Sequence, residues 1–184
     1  KFYQKTRHRY KCTINKKIVS KQIVRKKILL YRKINFKLIS VKYSLLKEIL
    51  KKFNFSKKKK IGVYYPINYE IECFEILKKL EQIGYKISLP VTKRKSEMDF
   101  FEWSFDDPLY VGKMGIPEPH QIKKVYPDVI LVPLVAYDKY NYRLGYGGGY
   151  YDRYIQKISK RKKILTIGLA FSFQKVNKLP INDN

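Results

Sequence analysis

The sequence predicts an α/β fold: a single three-layer domain whose central, mostly parallel sheet is flanked by helices. Short β-branched runs, Ile61-Gly62-Val63-Tyr64-Tyr65 and Val129-Ile130-Leu131-Val132, alternate with stretches of helical periodicity, as parallel strands joined by crossover helices do. A chain of 184 residues, 45% of them hydrophobic, is long enough for one well-packed core and short for two.

Residues 1–19 carry no acid and no periodicity, so they are expected to be a basic, flexible extension, with the domain over 20–184. Ser20 offers an N-cap to a helix with Ile23, Val24, Ile28 and Tyr31 at helical spacing. A second helix is expected from Phe36 to Phe53, burying Ile39, Tyr43, Leu46, Ile49 and Leu50, and the Lys57 to Lys60 run is expected to be a solvated loop. The first strand, Ile61 to Tyr65, ends at Pro66; a helix from Glu70 to Ile83 stops at Gly84; the strand Lys86 to Leu89 is closed by Pro90. Met98 to Trp103 is expected to be an edge strand, Gly112 to Pro119 an irregular loop over the site, Val129 to Val132 a central strand and Thr166 to Phe171 the last strand.

Function concentrates in Tyr142-Arg143-Leu144-Gly145-Tyr146-Gly147-Gly148-Gly149-Tyr150-Tyr151-Asp152-Arg153, which joins the Val129 run to a helix over Tyr150 to Ser159. Four glycines in five positions let backbone N–H groups approach an anion, and the helix start adds unpaired donors and partial positive charge. Arg143 would supplement those donors, and Asp152 stands where a carboxylate holds magnesium against phosphates. The same glycines also suit a tight chain reversal. A Walker loop is disfavoured, because Gly149 is followed by Tyr150-Tyr151, and so is the dinucleotide class, whose G-x-G-x-x-G pattern is absent.

The whole motif resembles the 5-formyltetrahydrofolate cyclo-ligase (methenyltetrahydrofolate synthetase) family. The likeness runs through Val132-Pro133-Leu134-Val135-Ala136-Tyr137-Asp138 and Arg143 to Arg153, and upstream through Gly115-Ile116-Pro117-Glu118-Pro119, Phe100-Phe101-Glu102-Trp103 and Asp107-Pro108-Leu109. Tyr69-Glu70-Ile71-Glu72 and Leu89-Pro90-Val91 resemble the family's substrate-side elements. The resemblance implies conversion of 5-formyltetrahydrofolate to 5,10-methenyltetrahydrofolate with ATP and Mg2+, releasing ADP and phosphate. It implies that Lys21, Arg25 and Arg143 act on the phosphates, and that ATP is held by these with Leu144, Gly145, Tyr146, Gly147, Gly148, Gly149, Tyr150 and Tyr151. Lys21 and Arg25 share a helical face. Substrate is implied to meet Tyr65, Glu70, Trp103 and Tyr146 to Tyr150, with Glu70 holding the pterin ring and Trp103 and Phe100 suited to stack on it. Asp152 matches a magnesium ligand. The family continues past Asn184 into a segment with a second metal ligand, so this chain is expected to be truncated at its C-terminal end.

The net charge of +26 is a competing signal. Residues 1–60 hold 22 Lys or Arg against one acid, Glu48. Such a half suits a nucleic-acid-binding arm or a membrane-surface helix; it also follows from compositional drift toward Lys, and it attracts anionic substrates such as nucleotide and polyglutamylated folate. A basic nucleic-acid binder is therefore the alternative to the enzyme. No apolar run spans a membrane or resembles a signal peptide, and Cys12 and Cys73 form no C-x-x-C pair, which argues for a reducing compartment and against a zinc site. The expectation is a cytoplasmic monomer. His8 and His120 have no partner motif, and Ser-His-Asp and metal-hydrolase patterns are absent.

Overall fold

The computed structural model describes residues 20–35 and 59–180, with positions 44, 47, 48, 51 and 56 between them. The expected extension over 1–19 with its His8 and Cys12, most of the expected helix over 36–53, and residues 181–184 lie outside the described residues.

Helix α1 (Lys21–Ile34) starts as expected: the Ser20 hydroxyl accepts from the Ile23 amide at 3.3 Å, satisfying one free donor of the first turn. Its inward face matches the expected apolar stripe at Val24 and Ile28 but not at Ile23 and Tyr31. Ile28 and Arg32 are buried, whereas Ile23 and Tyr31 are exposed, because α1 turns the face carrying residues 21, 25, 28 and 32 inward.

β1 (Lys60–Gly62) is shorter than expected, although the Val63 amide still donates to Ser88 O at 2.9 Å. Helix α2 (Phe74–Gln82) begins later than expected, because Asn68 and Tyr69 take φ values of 48° and 61° and the resulting turn leaves Glu70 outside the helix. Its end is as expected. Gly84 has φ 98°, its amide bonds Glu81 O at 2.8 Å and that of Tyr85 bonds Leu80 O at 3.0 Å, the double closure that satisfies terminal carbonyls.

β2 (Lys86–Thr92) runs on through Pro90, a correction to the strand expected to stop at Leu89. Ser88 O faces β1, so Pro90, two residues on, turns its missing donor to that side, where β1 has already ended. β3 (Met98–Trp103) is not an edge strand; it lies between β2 and the short β6 (Lys124–Val125). β4 (Leu109–Val111) and β5 (Pro117–Pro119) form a hairpin, so the segment expected as an irregular loop is partly strand.

β7 (Val129–Val132), helix α3 (Tyr150–Ser159) and β10 (Leu165–Gly168) complete the large sheet, ordered β10-β7-β1-β2-β3-β6. The first four strands are mutually parallel; β3 runs antiparallel to β2, and β6, antiparallel to β3, returns to the common direction. A separate three-stranded sheet of β8 (Ala136–Asp138), β9 (Arg143–Leu144) and β11 (Lys175–Val176) was not foreseen.

Alternate residues of β7 define the layers. Val129 and Leu131 pack with Ile76, Leu77 and Leu80 of α2, while Ile130 and Val132 pack with Tyr154 and Ile158 of α3 on the opposite face. Each such side chain taken fully out of water contributes about 1.5–3 kcal/mol. The β1-to-β2 crossover through α2 and the β7-to-β10 crossover through α3 thus lie on opposite faces, and the connections diverge after the adjacent strands β1 and β7. A crevice opens at that point in sheets of this kind. α1 packs elsewhere, with Ile28 against Val135, Ala136, Leu144 and Leu179 beside the small sheet.

Candidate active site

The crevice holds a cavity of about 640 Å³. Lys21 and Arg25 enter it from α1, Tyr64, Tyr65 and Glu70 from the segment after β1, Met114, Ile116 and Glu118 from the β4–β5 hairpin, and Arg143 to Asp152 from the glycine loop. All the expected site residues line it except Trp103 and Phe100.

The loop leaves β9 and ends as the start of α3. Gly147 has φ 112° and Gly149, the N-cap of α3, has φ 66°, conformations that favour glycine. The amides of residues 147–152 donate to no other described residue, so the helix start and the loop together present unpaired N–H groups. Arg25 Nε donates to Gly145 O at 2.8 Å, tying α1 to the loop across 120 positions. Arg153 donates through Nε to Ser96 O at 3.0 Å and through Nη2 to Gly148 O, bracing the opposite side. Arg143 forms an ion pair with Asp152, whose side chain is 71% exposed. Asp152 also lies in the first turn of α3, where a carboxylate is favoured by the helix dipole. Among the described residues no group of three or more His, Cys, Asp or Glu side chains could enclose a metal. A hard cation here would hold one carboxylate and complete its shell with phosphate oxygens and water, as Mg2+ does.

Opposite the loop sits a buried acid. Glu70, 6% exposed, accepts from the Ile67 amide at 2.9 Å through Oε2 and from the Tyr146 hydroxyl at 2.9 Å through Oε1. Tyr146 in turn receives a hydrogen bond from Arg32, whose guanidinium lies 5.6 Å from the centre of the tyrosine ring. Burial pushes the Glu70 carboxyl above the usual carboxylate range, against the opposing pull of the Ile67 amide, Tyr146 and Arg32. Burial likewise pushes the phenols of Tyr64, Tyr146 and Tyr151 up, so these walls are neutral. At the far rim the Glu118 carboxylate accepts from the Thr92 amide at 2.9 Å and hydroxyl at 2.6 Å, fixing the end of β2 to the hairpin.

Trp103 is a core residue, a correction to its expected place on the substrate wall. It packs with Phe74 and Phe105, and its indole Nε1 donates to Asp107 O at 3.2 Å. Phe100 is also fully buried, against Tyr151 and Tyr154. Alternation along β3 explains both: Trp103 faces α2 and Phe100 faces α3.

A family model described as the 5-formyltetrahydrofolate cyclo-ligase family matches residues 17–184. The chain belongs to that family. It is similar to the Haemophilus influenzae 5-formyltetrahydrofolate cyclo-ligase, 34% identical over 129 residues that cover 66% of this chain and 68% of the relative. Among solved structures it resembles the 5,10-methenyltetrahydrofolate synthetase of Aquifex aeolicus, with a TM-score of 0.65, 33% identity, and coverage of 88% of this chain and 83% of that one. The synthetase of Mycoplasma pneumoniae is similar at a TM-score of 0.62 and 26% identity, covering 88% of this chain and 91% of that one.

Within this cyclo-ligase, the basic character of α1 divides by face. Lys21 and Arg25 line the cavity and Arg32 is buried behind it, whereas Lys26, Lys27 and Lys33 are exposed. Arg32 went unforeseen, although its place seven residues after Arg25 puts it on the same helical face. No helix among the described residues is long and apolar enough to cross a membrane.

Proposed function

We propose that the protein uses MgATP to convert 5-formyltetrahydrofolate into 5,10-methenyltetrahydrofolate, with release of ADP and phosphate. The observation that carries this reading is one cavity with a buried carboxylate on one wall and a cation-flanked loop of unpaired amides on the other. A carboxylate held in place by two donors suits the paired N–H groups of a pterin, and the loop suits a polyphosphate.

The nucleotide supplies a phosphoryl group that turns the poor leaving group of a formamide, its oxygen, into a good one. The rest falls to positioning and charge. Glu70 anchors the pterin, and Tyr65 with the neutral Tyr64 walls off water. Lys21, Arg25 and Arg143 neutralise phosphate oxygens, while the loop amides from Gly147 to Tyr151 orient them. Asp152 would hold Mg2+ beside the same oxygens. With N10 held over the face of the formyl carbon carried by N5, N10 attacks that carbon and gives up its proton, and the activated oxygen departs with the transferred phosphoryl group as phosphate, leaving the methenyl bridge between N5 and N10. The reading takes the protein to act as a cytoplasmic monomer; its buried Cys73 is a free thiol, as a reducing compartment allows.

Mixing the protein with MgATP and 5-formyltetrahydrofolate should raise the absorbance of the methenyl product, with no rise when ATP or Mg2+ is omitted. Arg143→Ala should lower kcat by about 10²-fold or more. Folded wild-type protein that makes no ATP-dependent product refutes the assignment.

A further inference from the structure

Arg32 is 1% exposed, and a buried arginine is rare unless its charge is matched. Among the described residues it contacts no carboxylate directly. Nη1 donates to Leu134 O at 3.4 Å, Nη2 donates to the Tyr146 hydroxyl, and Nε has no partner among the described residues. The Tyr146 hydroxyl passes its own hydrogen to Glu70 Oε1 at 2.9 Å. The three side chains thus form a directed chain from α1 through the glycine loop to the opposite wall, and a proton donor at its head polarises every later bond.

We infer that Arg32 is a positioning residue that acts through Tyr146 to hold the Glu70 carboxylate aimed and ready to accept substrate N–H groups. This deepens the proposed function and rests on it. Glu70 cannot orient itself, because the Ile67 amide holds only one of its oxygens. Its other ionisable neighbours are Tyr64 after β1, Cys73 before α2, and Tyr146 and Tyr151 from the loop and α3. Burial keeps all four of these neutral, so the distant guanidinium is the cation felt by Glu70, in the direction that favours its charged form. The chain also couples the two halves of the cavity, since Tyr146 belongs to the loop that faces the nucleotide.

The test is the pH dependence of kcat and of both KM values for wild type, Tyr146→Phe, Arg32→Met and the double variant. Phenylalanine keeps the ring but removes the relay. Each single variant should raise KM for 5-formyltetrahydrofolate by about ten- to a hundredfold, the loss expected for a charge-assisted hydrogen bond, and by clearly more than it raises KM for ATP. The penalty should grow as pH falls from about 8 to 5, because Glu70 then takes up its proton earlier in the variants than in wild type. The double variant should be no worse than the poorer single one. Additive effects, an equal rise in both KM values, or an unshifted pH profile would make Arg32 merely structural and overturn the inference. If Arg32→Met does not fold, Tyr146→Phe alone decides it by the same pH profile. A wild-type protein with no turnover overturns the substrate reading and this role together; wild-type turnover with unaltered variants overturns the role alone.

Discussion

Gly147 and Gly145 lie two residues apart in one loop and should respond oppositely to the same methyl group. Gly147 has φ 112°, where an L side chain costs about 1–3 kcal/mol, yet its added Cβ would meet nothing closer than Arg25 Cζ at 3.5 Å. The penalty in Gly147→Ala is therefore backbone strain and not overlap. Each kcal/mol lowers the Tm of a chain this size by about 2–4 °C, so the expected loss is about 2–12 °C. The loop can relieve the strain only by rotating the peptide units that present its amides, so KM for ATP should rise with it. Gly145 is not in the left-handed region, and its Cβ would make an ordinary contact with Arg143 Nη1 at 3.6 Å. Gly145→Ala should stay within about 0.5 kcal/mol of wild type with its ATP KM retained. Thermal melts and initial rates over an ATP series measure both; equal behaviour of the two variants refutes the reasoning.

Leu77→Ala removes a fully buried side chain between α2 and the large sheet and should cost about 2–5 kcal/mol, read as a lower urea midpoint at unchanged slope. Trp103→Phe should lower stability but leave the folate KM alone; a raised KM would return Trp103 to the site wall. For Glu70, whose carboxyl burial holds above its ordinary range, the folded protein binds more protons than the unfolded chain in that interval. Its contribution to stability is complete below the unfolded pKa and is lost as pH rises through the folded one, so Glu70→Gln should erase that downward slope in unfolding free energy, and parallel profiles would contradict it. Asp99 behaves in the opposite sense: burial alone would raise it, but Lys124 and Lys93, at 2.8 and 2.7 Å, outweigh burial and hold it low. Its contribution is present above the unfolded pKa and is lost as pH falls through the folded one, and Asp99→Asn should flatten acid unfolding measured by circular dichroism.

Local signals of one kind were legible in the sequence: caps, glycine stops and strongly periodic strands. Ser20, Gly84 and the Val129 run act as expected because each satisfies its own neighbours. The glycine loop was legible for the same reason, and Glu70 was reached through resemblance, since nothing local marks it. What failed depended on distant partners. Pro90 is tolerated in β2 only because β1 stops short, which no property of residues 86–92 reveals. β8, β9 and β11 have two or three residues each, too few to show a period. Aromatic character alone suits Trp103 and Phe100 to a ligand wall, whereas strand alternation buries them in opposite layers. Arg32 breaks the hydrophobic pattern of a buried helix face, and such breaks concentrate where function is.

The small sheet explains how cations from the two ends of the chain meet. Asp138, at the end of β8, accepts from the amides of Tyr140 at 2.9 Å and Tyr142 at 3.1 Å through one oxygen, and from Leu179 at 3.0 Å through the other. One carboxylate thereby shapes the hairpin that delivers Arg143 and secures the segment after β11. Burial opposes its charge, but the three amides prevail and hold its carboxyl below the usual range. The same sheet supplies Ala136 and Leu144, with Val135 just before β8, as the surface on which Ile28 packs. Setting Ile28 there places Arg25, three residues earlier on the helix, against Gly145, and Arg32, four later, beside Tyr146. The large sheet determines where the crevice opens; the register of one helix on one hairpin determines which charges face into it.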